Sequence, residues 1–404
     1  MGKTVTAIMS PIRLAFIVES AVGGVARHII DLATHLNSDE FSCTIYASLQ
    51  RPESWTNQLH ALTEHGITLR EIPMARIPNA SAVKQIRGWL ERDAIDIVHL
   101  HSAKAGYLGR IATEPLGLPI IYTPHAFPFQ RTTDWRRPIY RLIERRLAPL
   151  TQKIICVSSG EYYEALLAGL PEQKLTIINN GIDVERWPRP TEAQRREARA
   201  QYRVAQDEVV IGTMARLVPQ KGIDLLLAAA EEFLPDFPNA KLLVWGNGPQ
   251  FPKLKRMARS LRLNRVQFLG ETTSPWHAYA AMDIFCAPSR WEAGPYAILE
   301  AMACGLPIVA SEVAGHIDYL EDGESGLIIS PELPGPLDGA IRTLLIDADR
   351  RADLGRAAHR RAVYEFPIEK MVAETTELYR SVYTRKASLD AESHLGNNKK
   401  PEYP

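Results

Sequence analysis

The amino-acid sequence predicts an α/β fold made of two doubly wound domains, and two observations predict it. Short apolar runs rich in β-branched residues alternate with helical patterns, and this series pauses near the middle of the chain before it starts again. Continuous apolar strands separated by helices indicate a parallel sheet that is covered on both faces. The length of 404 residues suits two domains of about 100 to 200 residues each.

The first series of strands begins close to the amino terminus. Ile12–Val18 has the pattern of a buried strand, and Gly23-Gly24 and a helical stretch to about Leu36 follow it. The other strand patterns of this series are FSCTIYA from Phe41, IDIVHLH from Ile95, PIIYT from Pro119 and KIICVS from Lys153.

The second series has the same rhythm. Its strand patterns are VVIGTMA from Val209, KLLVWG from Lys241, RVQFLG from Arg265, DIFCAP from Asp283, PIVAS from Pro307 and GLIIS from Gly326. Ligands of such sheets bind beyond the carboxyl ends of the strands. We therefore expect two facing sheets to share one cleft.

The stretch between the two series is polar and contains prolines at 188 and 190. Residues 181–207 are therefore predicted to be a linker that runs into a surface helix. We expect an N-terminal domain at 1–190 and a C-terminal domain at 191–365. A last helix at 366–386 and a flexible tail at 387–404 complete the expected organisation.

Composition excludes several classes of protein. The formal net charge is zero, which argues against a whole-protein footprint for nucleic acid. The four cysteines show no C-x-x-C spacing and are interpreted as reduced core residues. No apolar run approaches the ~20 residues that span a bilayer, and no signal peptide is evident. We expect a cytoplasmic protein.

The loop after the first strand contains Gly23 and Gly24 directly before a helix. Two glycines let a backbone approach a ligand closely, and the following helix offers free N–H groups and the positive end of its dipole. This arrangement suits a diphosphate. A tight turn without a ligand explains the pair equally well.

Arg216 follows a strand end and Lys221 opens the next helix. Two cations at such a turn can converge on two phosphates, since arginine offers a bidentate fork and lysine a point charge. The alternative is a solvated pair of surface cations.

Glu292 and Glu300 are separated by seven residues in the segment SRWEAGPYAILEAMACG. Carboxylates accept hydrogen bonds strongly from sugar hydroxyls. Glu300 lies in a helix that is apolar nearly all round, and an acid in such a helix needs a partner. A plain position on the helix surface is the alternative for Glu300.

His125 follows the strand pattern that ends in YTP, where an imidazole can bind a sugar or assist proton transfer. A structural role is the commoner fate of a single histidine. His99 and His101 flank a neighbouring strand end and are weaker candidates.

The stretch from Arg131 to Arg146 interleaves arginines with Trp135 and aliphatic residues. A basic amphipathic segment of this kind can rest on an anionic membrane surface or meet an acidic acceptor. A solvated helix face is the competing interpretation.

Taken together, these residues resemble the family 4 retaining glycosyltransferases (glycosyl transferases group 1), over most of the chain. The most specific part is the second half, where the motifs occur in the family's order. They are Arg-x₄-Lys-Gly at 216–222, GNGP at 246–249, Glu292-x₇-Glu300 and the following EAMACGLPIVAS. Gly23-Gly24, His125 and NNGID at 179–183 add to the resemblance.

The resemblance implies a GT-B fold, with two Rossmann-like domains facing across a cleft, and a role for each matching residue. The first domain would bind the acceptor and the second the nucleotide-sugar, and the last helix would return to the first domain. Arg216 and Lys221 would hold the donor diphosphate, Glu300 the ribose hydroxyls and Glu292 the donor sugar. His125 would line the reaction centre. The donor site would also include Gly23, Gly24, Gly246 and Gly294. No metal and no cofactor are implied, because the cations replace the metal in stabilising the leaving diphosphate.

The predicted function is transfer of a hexose-type sugar from a UDP- or GDP-sugar to an acceptor hydroxyl, with retention. The setting suggested by the resemblance is cell-surface polysaccharide or glycolipid synthesis, with a lipid-linked saccharide among the candidate acceptors. Two alternatives stay open: a nucleotide-sugar epimerase on the same fold, and a non-catalytic protein that binds nucleotide-sugars.

Overall fold

The protein is described by a computed structural model covering residues 10–19, 23–48, 59–72, 74, 80–131, 135–330 and 333–397. The chain divides into two compact units. The first contains residues 1–157, 161–179 and 369–404, and the second contains residues 158–160 and 180–368.

The first unit is built on a parallel seven-stranded sheet in the order β3-β2-β1-β4-β5-β6-β7. Its strands are β1 Ile12–Val18, β2 Phe41–Ala47, β3 Thr68–Glu71, β4 Ile97–His101, β5 Ile120–Thr123, β6 Lys153–Cys156 and β7 Leu175–Ile177. The helices are α1 Gly24–His35, α2 Leu59–Glu64, α3 Ala80–Arg92, α4 Ala103–Thr113, α5 Pro128–Arg131, α6 Arg137–Leu147 and α7 Ser159–Leu167, of which the first two residues of α7 belong to the second unit.

The strand order of the first sheet reverses between β1 and β4. From β1 the chain adds strands outward on one side through β2 and β3, and on the other side through β4 to β7. Such a reversal in strand order opens a crevice at the carboxyl ends of the two strands, β1 and β4. Gly23 follows β1 and His101 ends β4, so both lie at this switch point.

The second unit repeats this plan with a parallel six-stranded sheet in the order β10-β9-β8-β11-β12-β13. Its strands are β8 Val209–Met214, β9 Ala240–Trp245, β10 Val266–Gly270, β11 Ile284–Ala287, β12 Ile308–Ser311 and β13 Leu327–Ile329. The helices are α8 Glu192–Gln201, α9 Ile223–Phe233, α10 Phe251–Ser260, α11 Pro275–Ala281, α12 Tyr296–Ala303, α13 Ala314–Ile317, α14 Pro334–Ile346 and α15 Ala348–Tyr364.

Alternation along the strands of the second sheet builds a core on each of its faces. Leu243 and Trp245 pack in one buried cluster, whereas Leu242 and Val244 pack in another. Successive strand residues point to opposite faces, so a strand buried on both sides must be apolar throughout. This requirement explains the continuous apolar runs in the sequence and confirms the predicted doubly wound architecture.

The last helix, α16 Ile368–Asn397, belongs almost wholly to the first unit. Tyr379 is fully buried there, and its hydroxyl lies 2.6 Å from Nδ1 of His99 on β4. Arg380 forms a bidentate ion pair with Glu40 at 2.6 Å. The expected end of this helix at 386 is wrong, because the helix continues to Asn397 across part of the segment predicted to be a tail.

The region predicted to be a linker belongs to the second unit. Ile182 and Trp187 are buried in its core, and the backbone of Ile182 pairs with that of Phe366 and Ile368. Within α8, Arg199 is buried and pairs with Asp283 at 3.1 Å. The compact units therefore divide at 179/180 rather than at 190/191. The predicted boundary was wrong because most residues around the two prolines are polar, whereas the residues that pack in the core of the second unit are a few apolar ones such as Ile182 and Trp187.

None of the helices in the described ranges combines the length and the apolar character that a membrane crossing requires.

Candidate functional sites at the strand ends

In the second unit, Lys221 and Glu292 meet at the switch point between β8 and β11. Lys221 lies in the turn after β8 and Glu292 in the loop after β11, and β8 and β11 are neighbours in the sheet. The lysine Nζ is 2.5 Å from Oε1 of Glu292. The strand order brings together two residues that are 71 positions apart in the sequence.

The carboxylate of Glu292 is nearly enclosed, with 7% of its side chain exposed. Ser289 Oγ donates to it at 2.7 Å, and Gln220 Nε2 donates at 3.2 Å. Burial alone would raise the pKa of this carboxyl, but Lys221, His316 and the hydrogen bonds outweigh burial and lower the pKa. Glu292 is therefore an ionised acceptor in the folded protein.

Arg216 lies in the same loop as Lys221 and is exposed. Within the described part of the chain, its side chain forms no hydrogen bond or ion pair. Because Lys221 is paired with Glu292 whereas the donors of Arg216 are free, the guanidinium of Arg216 is ready to bind an anion.

Two glycines of the GNGP turn hold the backbone on which Arg216 sits. A Cβ on Gly246 would lie 1.9 Å from the carbonyl oxygen of Ala215, and one on Gly248 would lie 2.5 Å from that of Leu217. Both glycines also have positive φ angles, 117° and 158°. Gly246, predicted at the donor site, therefore has a structural reason to be glycine: it lets the two loops pack backbone to backbone.

Gly294, another predicted donor-site residue, lies in the loop between Glu292 and α12. Its carbonyl oxygen accepts a 2.7 Å hydrogen bond from the side-chain amide of Asn180. Asn180 belongs to the NNGID segment, so this motif serves to fix the loop that carries Glu292.

Glu300 has the partner that its apolar helix demanded. Tyr279 on α11 is fully buried and donates its hydroxyl hydrogen to Oε2 of Glu300 at 2.8 Å. Burial and the nearby carboxylate raise the pKa of Tyr279 well above its ordinary value, so the phenol keeps its proton. This contact orients Glu300 on the first turns of α12.

Sequence reasoning missed three residues around Glu292, namely Ser289, Gln220 and His316. His316 is fully buried, and its Nδ1 lies 2.9 Å from the carbonyl oxygen of Ser311. Burial lowers the pKa of its imidazole. Gln220 directly precedes Lys221, and Ser289 lies three residues before Glu292. That proximity in sequence was the feature that could have identified them.

In the first unit, Gly23 and Gly24 form the start of α1. Gly23 is the N-cap residue with φ of 63°, a left-handed conformation that favours glycine. The predicted helix is present as α1, but it begins at Gly24 itself rather than after the glycine pair. Residues 20–22 of this loop lie outside the described residues.

His125 sits in a constrained loop after β5. His125 and Ala126 both have positive φ angles, 51° and 75°, which cost residues with a Cβ of order 1–3 kcal/mol each. Such a conformation persists only where the surroundings hold it in place.

The buried carboxylate of Glu161 holds this loop. Its Oε1 accepts a hydrogen bond from the backbone N–H of Ala126 at 2.6 Å, and its Oε2 accepts one from Val157 at 2.8 Å. Ala126 follows β5 and Val157 follows β6, so one side chain ties the ends of two adjacent strands together.

Three imidazoles gather beside this loop. Nε2 of His125 is 3.2 Å from Nδ1 of His101, and the ring of His28 on α1 lies 4.8 Å from that of His125. The weaker candidate His99 has a structural role instead, because Tyr379 and Thr123 occupy both of its ring nitrogens.

These three histidines are close enough together to be possible metal ligands, whereas the sequence predicted a protein without a metal. His28, His101 and His125 offer ligand atoms within 4.8 Å of one another, and the group contains no carboxylate. Absence of a metal therefore stays a prediction for this protein.

The arginine-rich stretch forms two helices, α5 and α6. Residues 132–134 and the side chain of Arg131 lie outside the described part of the chain. On α6, Glu144 points inward and pairs with the fully buried Arg110 at 2.7 Å. Outside, Trp135, Ile139 and Leu142 are 75%, 45% and 50% exposed, which is unusual for large apolar side chains so close together.

Two family models match the chain on either side of the boundary between the units. The model described as Glycosyltransferase Family 4 matches residues 22–186, and the model described as Glycosyl transferases group 1 matches residues 194–361.

Curated relatives cover most of the chain at low identity. An Escherichia coli UDP-Gal:alpha-D-GlcNAc-diphosphoundecaprenol alpha-1,3-galactosyltransferase is 29% identical over 74% of this chain and 78% of its own length. The alpha-maltose-1-phosphate synthase of Mycolicibacterium smegmatis is 27% identical over 72% of this chain and 80% of its own length.

Among solved structures, HepE of Anabaena in complex with UDP and glucose superimposes with a TM-score of 0.81 at 22% identity. The match covers 92% of this chain and 100% of HepE. At this identity the likeness establishes the fold.

Proposed function

Because the chain belongs to the family 4 glycosyltransferases and has their GT-B fold, we propose that it transfers a hexose from a UDP-sugar to an acceptor hydroxyl. The proposed stereochemical outcome is retention, and the proposed setting is the synthesis of a cell-surface polysaccharide or glycolipid. The UDP donor is supported by the names of the E. coli relative and of the HepE complex.

One observation carries the donor assignment. Arg216, Lys221 and Glu292 all lie at the carboxyl ends of β8 and β11, where the strand order of the second sheet reverses. Nucleotide ligands bind doubly wound sheets at this kind of switch point. Arg216 offers free donors there, and Glu292 offers an ionised acceptor.

Each of these side chains has a proposed role. Arg216 binds the diphosphate through its guanidinium. The ammonium group of Lys221, which pairs with Glu292 in the free protein, also binds the phosphates. The freed acceptor sites of Glu292 take hydrogen bonds from hydroxyls of the donor sugar. Glu300, oriented by Tyr279, accepts hydrogen bonds from the ribose hydroxyls.

The proposed reaction breaks the bond between the anomeric carbon and the diphosphate oxygen. Negative charge grows on the leaving diphosphate, and preorganised cations lower the barrier because they are already in place when that charge develops. In the proposed reaction the acceptor oxygen forms its bond to the anomeric carbon on the face from which the diphosphate leaves, and the leaving phosphate accepts the proton of the acceptor hydroxyl. The cations Arg216 and Lys221 make a divalent metal unnecessary in this proposal.

We propose that the first unit binds the acceptor, with His125 beside the reacting groups. A lipid-linked saccharide is supported by the name of the E. coli relative, whose acceptor carries diphosphoundecaprenol.

A lipid-linked acceptor calls for contact with a membrane, and we propose that α6 provides it. Its only acid, Glu144, is turned inward to Arg110, which leaves the exposed Arg145 and Arg146 beside Ile139 and Leu142. Exposed apolar side chains flanked by arginines suit the interface of an anionic bilayer.

The donor is tested by thermal unfolding with UDP, GDP, ADP and their common sugar conjugates, with EDTA present. Ligand binding to the folded state raises the unfolding temperature by mass action. We expect a rise with UDP and a UDP-hexose. No rise with any nucleotide would contradict the donor site.

The reaction is then tested with the selected donor. Product formed only when an acceptor is present, with the anomeric configuration of the donor by NMR, supports the transferase. Conversion of the donor sugar without an acceptor would instead identify the epimerase, and binding without any turnover would identify a non-catalytic protein.

Membrane contact is tested by co-sedimentation with vesicles of phosphatidylglycerol and of phosphatidylcholine. We expect binding to the anionic vesicles alone, weakened by salt and by the double change Ile139→Ser and Leu142→Ser. Ile346→Ser is the matched control, because Ile346 is 76% exposed on the second unit. Equal binding of the double variant and the control would contradict the role of α6.

A further inference from the structure

His101 makes a direct side-chain contact with His125, the residue that the proposed function places at the reacting groups. Nδ1 of His101 lies 3.2 Å from Nε2 of His125, and the two rings are stacked at 19°. His101 is fully buried, and His125 is 8% exposed. A hydrogen bond between two neutral imidazoles requires one nitrogen to donate and the other to accept.

The surroundings of His101 decide which nitrogen donates. Its Nε2 is buried and has no hydrogen-bond partner among the described residues. A buried N–H group without an acceptor is rarer in proteins than an acceptor without a donor. The favoured tautomer of His101 therefore leaves Nε2 as a bare lone pair and carries its proton on Nδ1.

The tautomer of His101 determines the tautomer of His125. With its proton on Nδ1, His101 donates to Nε2 of His125. A neutral His125 that accepts at Nε2 must carry its own proton on Nδ1. Burial and the three neighbouring imidazoles lower the pKa of His101 well below its ordinary value, which keeps His101 in the neutral form that this chain of hydrogen bonds needs.

The backbone keeps the two rings in this arrangement. The left-handed conformation of His125 and Ala126 fixes the direction in which the His125 side chain leaves the loop. The carboxylate of Glu161 stabilises that conformation by accepting a hydrogen bond from the backbone N–H of Ala126. On the other side, Phe16 packs edge-on against the ring of His101 at 5.4 Å.

We propose that His101 is a positioning residue that sets His125 as the tautomer with its proton on Nδ1. The inference rests on the proposed function, since it fixes the tautomer of the imidazole that this function places beside the reacting groups. The opposite tautomer would exchange the donor and the acceptor nitrogen of His125, and a wrong tautomer costs catalysis by orders of magnitude in other enzymes.

The tautomer is measured directly by ¹⁵N NMR of the imidazole nitrogens in histidine-labelled protein near neutral pH. The spectrum of His125→Gln identifies the signals of His125 by their loss. We expect an N–H signal for Nδ1 and a lone-pair signal for Nε2. The reverse pattern in the wild-type protein would overturn the proposal.

Two variants of His101 supply the control. The side-chain N–H group of His101→Asn can take the place of Nδ1–H, whereas His101→Leu has similar bulk and no donor. We expect the Asn variant to keep the His125 pattern and to turn over within about threefold of wild type. The Leu variant should shift His125 toward Nε2–H and slow turnover at least about tenfold.

The two readouts separate failure of the inference from failure of the proposed function. If the spectra follow the proposal but all three proteins turn over alike, the positioning by His101 stands and the role of His125 in the reaction is contradicted. If Asn and Leu disturb the His125 signals equally, the hydrogen bond is not what sets the tautomer. Should the Leu variant fail to fold, the wild-type and Asn spectra still decide.

Discussion

At the scale of single residues, the site in the second unit depends on a carboxylate kept ionised in an enclosed place. Among the described residues, the side chain of Glu292 accepts hydrogen bonds from Lys221, Ser289 and Gln220. Removing one member of such a group leaves buried polar or charged atoms of the others without a partner. The free-energy cost of those atoms exceeds the net stabilisation that the interaction contributes.

The change Glu292→Gln therefore lowers stability in a pH-dependent way. The folded-state pKa of Glu292 is lowered from an ordinary value of 4.5. Its stabilisation is complete above the unfolded pKa and disappears as the pH falls through the lower folded pKa. We expect urea titration to show that the variant loses about 1–3 kcal/mol of unfolding free energy relative to wild type near neutral pH. This difference between the two proteins should become smaller below about pH 4.5.

The exposed Glu324→Gln is the control for this experiment and should match wild type at every pH. A loss for Glu292→Gln that keeps its full size in acid would show that the charge of Glu292 is not what stabilises the loop.

The residue scale also shows the reach of sequence reasoning. An acid in an apolar helix predicted that Glu300 needs a partner, but the identity of that partner, Tyr279, depends on the packing of α11 against α12. Likewise, His101 ranked below His125 because no spacing rule reveals that two adjacent strand ends bring their imidazoles to 3.2 Å.

At the scale of elements, loops packed backbone to backbone hold the charged side chains. The change Gly246→Ala places a Cβ within 1.9 Å of a backbone oxygen in the Arg216 loop and strains a positive φ. We expect a loss of at least about 1–3 kcal/mol of unfolding free energy and weaker binding of UDP.

Gly339→Ala is a control of opposite sign. Gly339 lies within α14, and nothing lies within 4 Å of the position that its Cβ would take. Alanine there should raise stability by about 0.4–1 kcal/mol. Thermal unfolding of both variants measures the contrast, and similar effects in the two would refute the packing argument.

Most strands were predictable because burial on both faces leaves a continuous apolar run, as in β1 and β8. The edge strand β3 and the three-residue strand β7 were missed. Thr68–Glu71 is largely polar, and Leu175–Ile177 is too short to show a period. Both are strands because a neighbouring strand offers them hydrogen bonds, which local sequence does not reveal.

At the scale of the whole molecule, the last described helix belongs to the unit that also contains the first described strand. Helix α16 reaches the first sheet through Tyr379, whose hydroxyl meets His99. We expect Tyr379→Phe to cost about 0.5–1.5 kcal/mol of unfolding free energy. Tyr364→Phe is the control, because the side chain of Tyr364 is 78% exposed, and it should cause no loss of unfolding free energy measurable by denaturant titration. Equal losses in the two variants would contradict a stabilising role for the contact between Tyr379 and His99.

The domain boundary was harder to predict than the domains. Repetition of the strand series predicted two domains, but the polar residues around 188–190 drew the boundary too late in the chain. Ile182 pairs with Phe366 and Ile368, at the far end of the second unit. Contacts across such a sequence distance decide to which unit a segment belongs.

Arg216 is the cation on which the proposed nucleotide-diphosphate site depends, and a calorimetric titration with UDP in the presence of EDTA measures its contribution to binding. We predict that Arg216→Ala weakens UDP binding at least about tenfold. Arg259→Ala, at another exposed arginine of the same unit, should bind UDP as the wild type does. If Arg216→Ala and Arg259→Ala both bind UDP with wild-type affinity, the donor site does not lie at the carboxyl ends of β8 and β11.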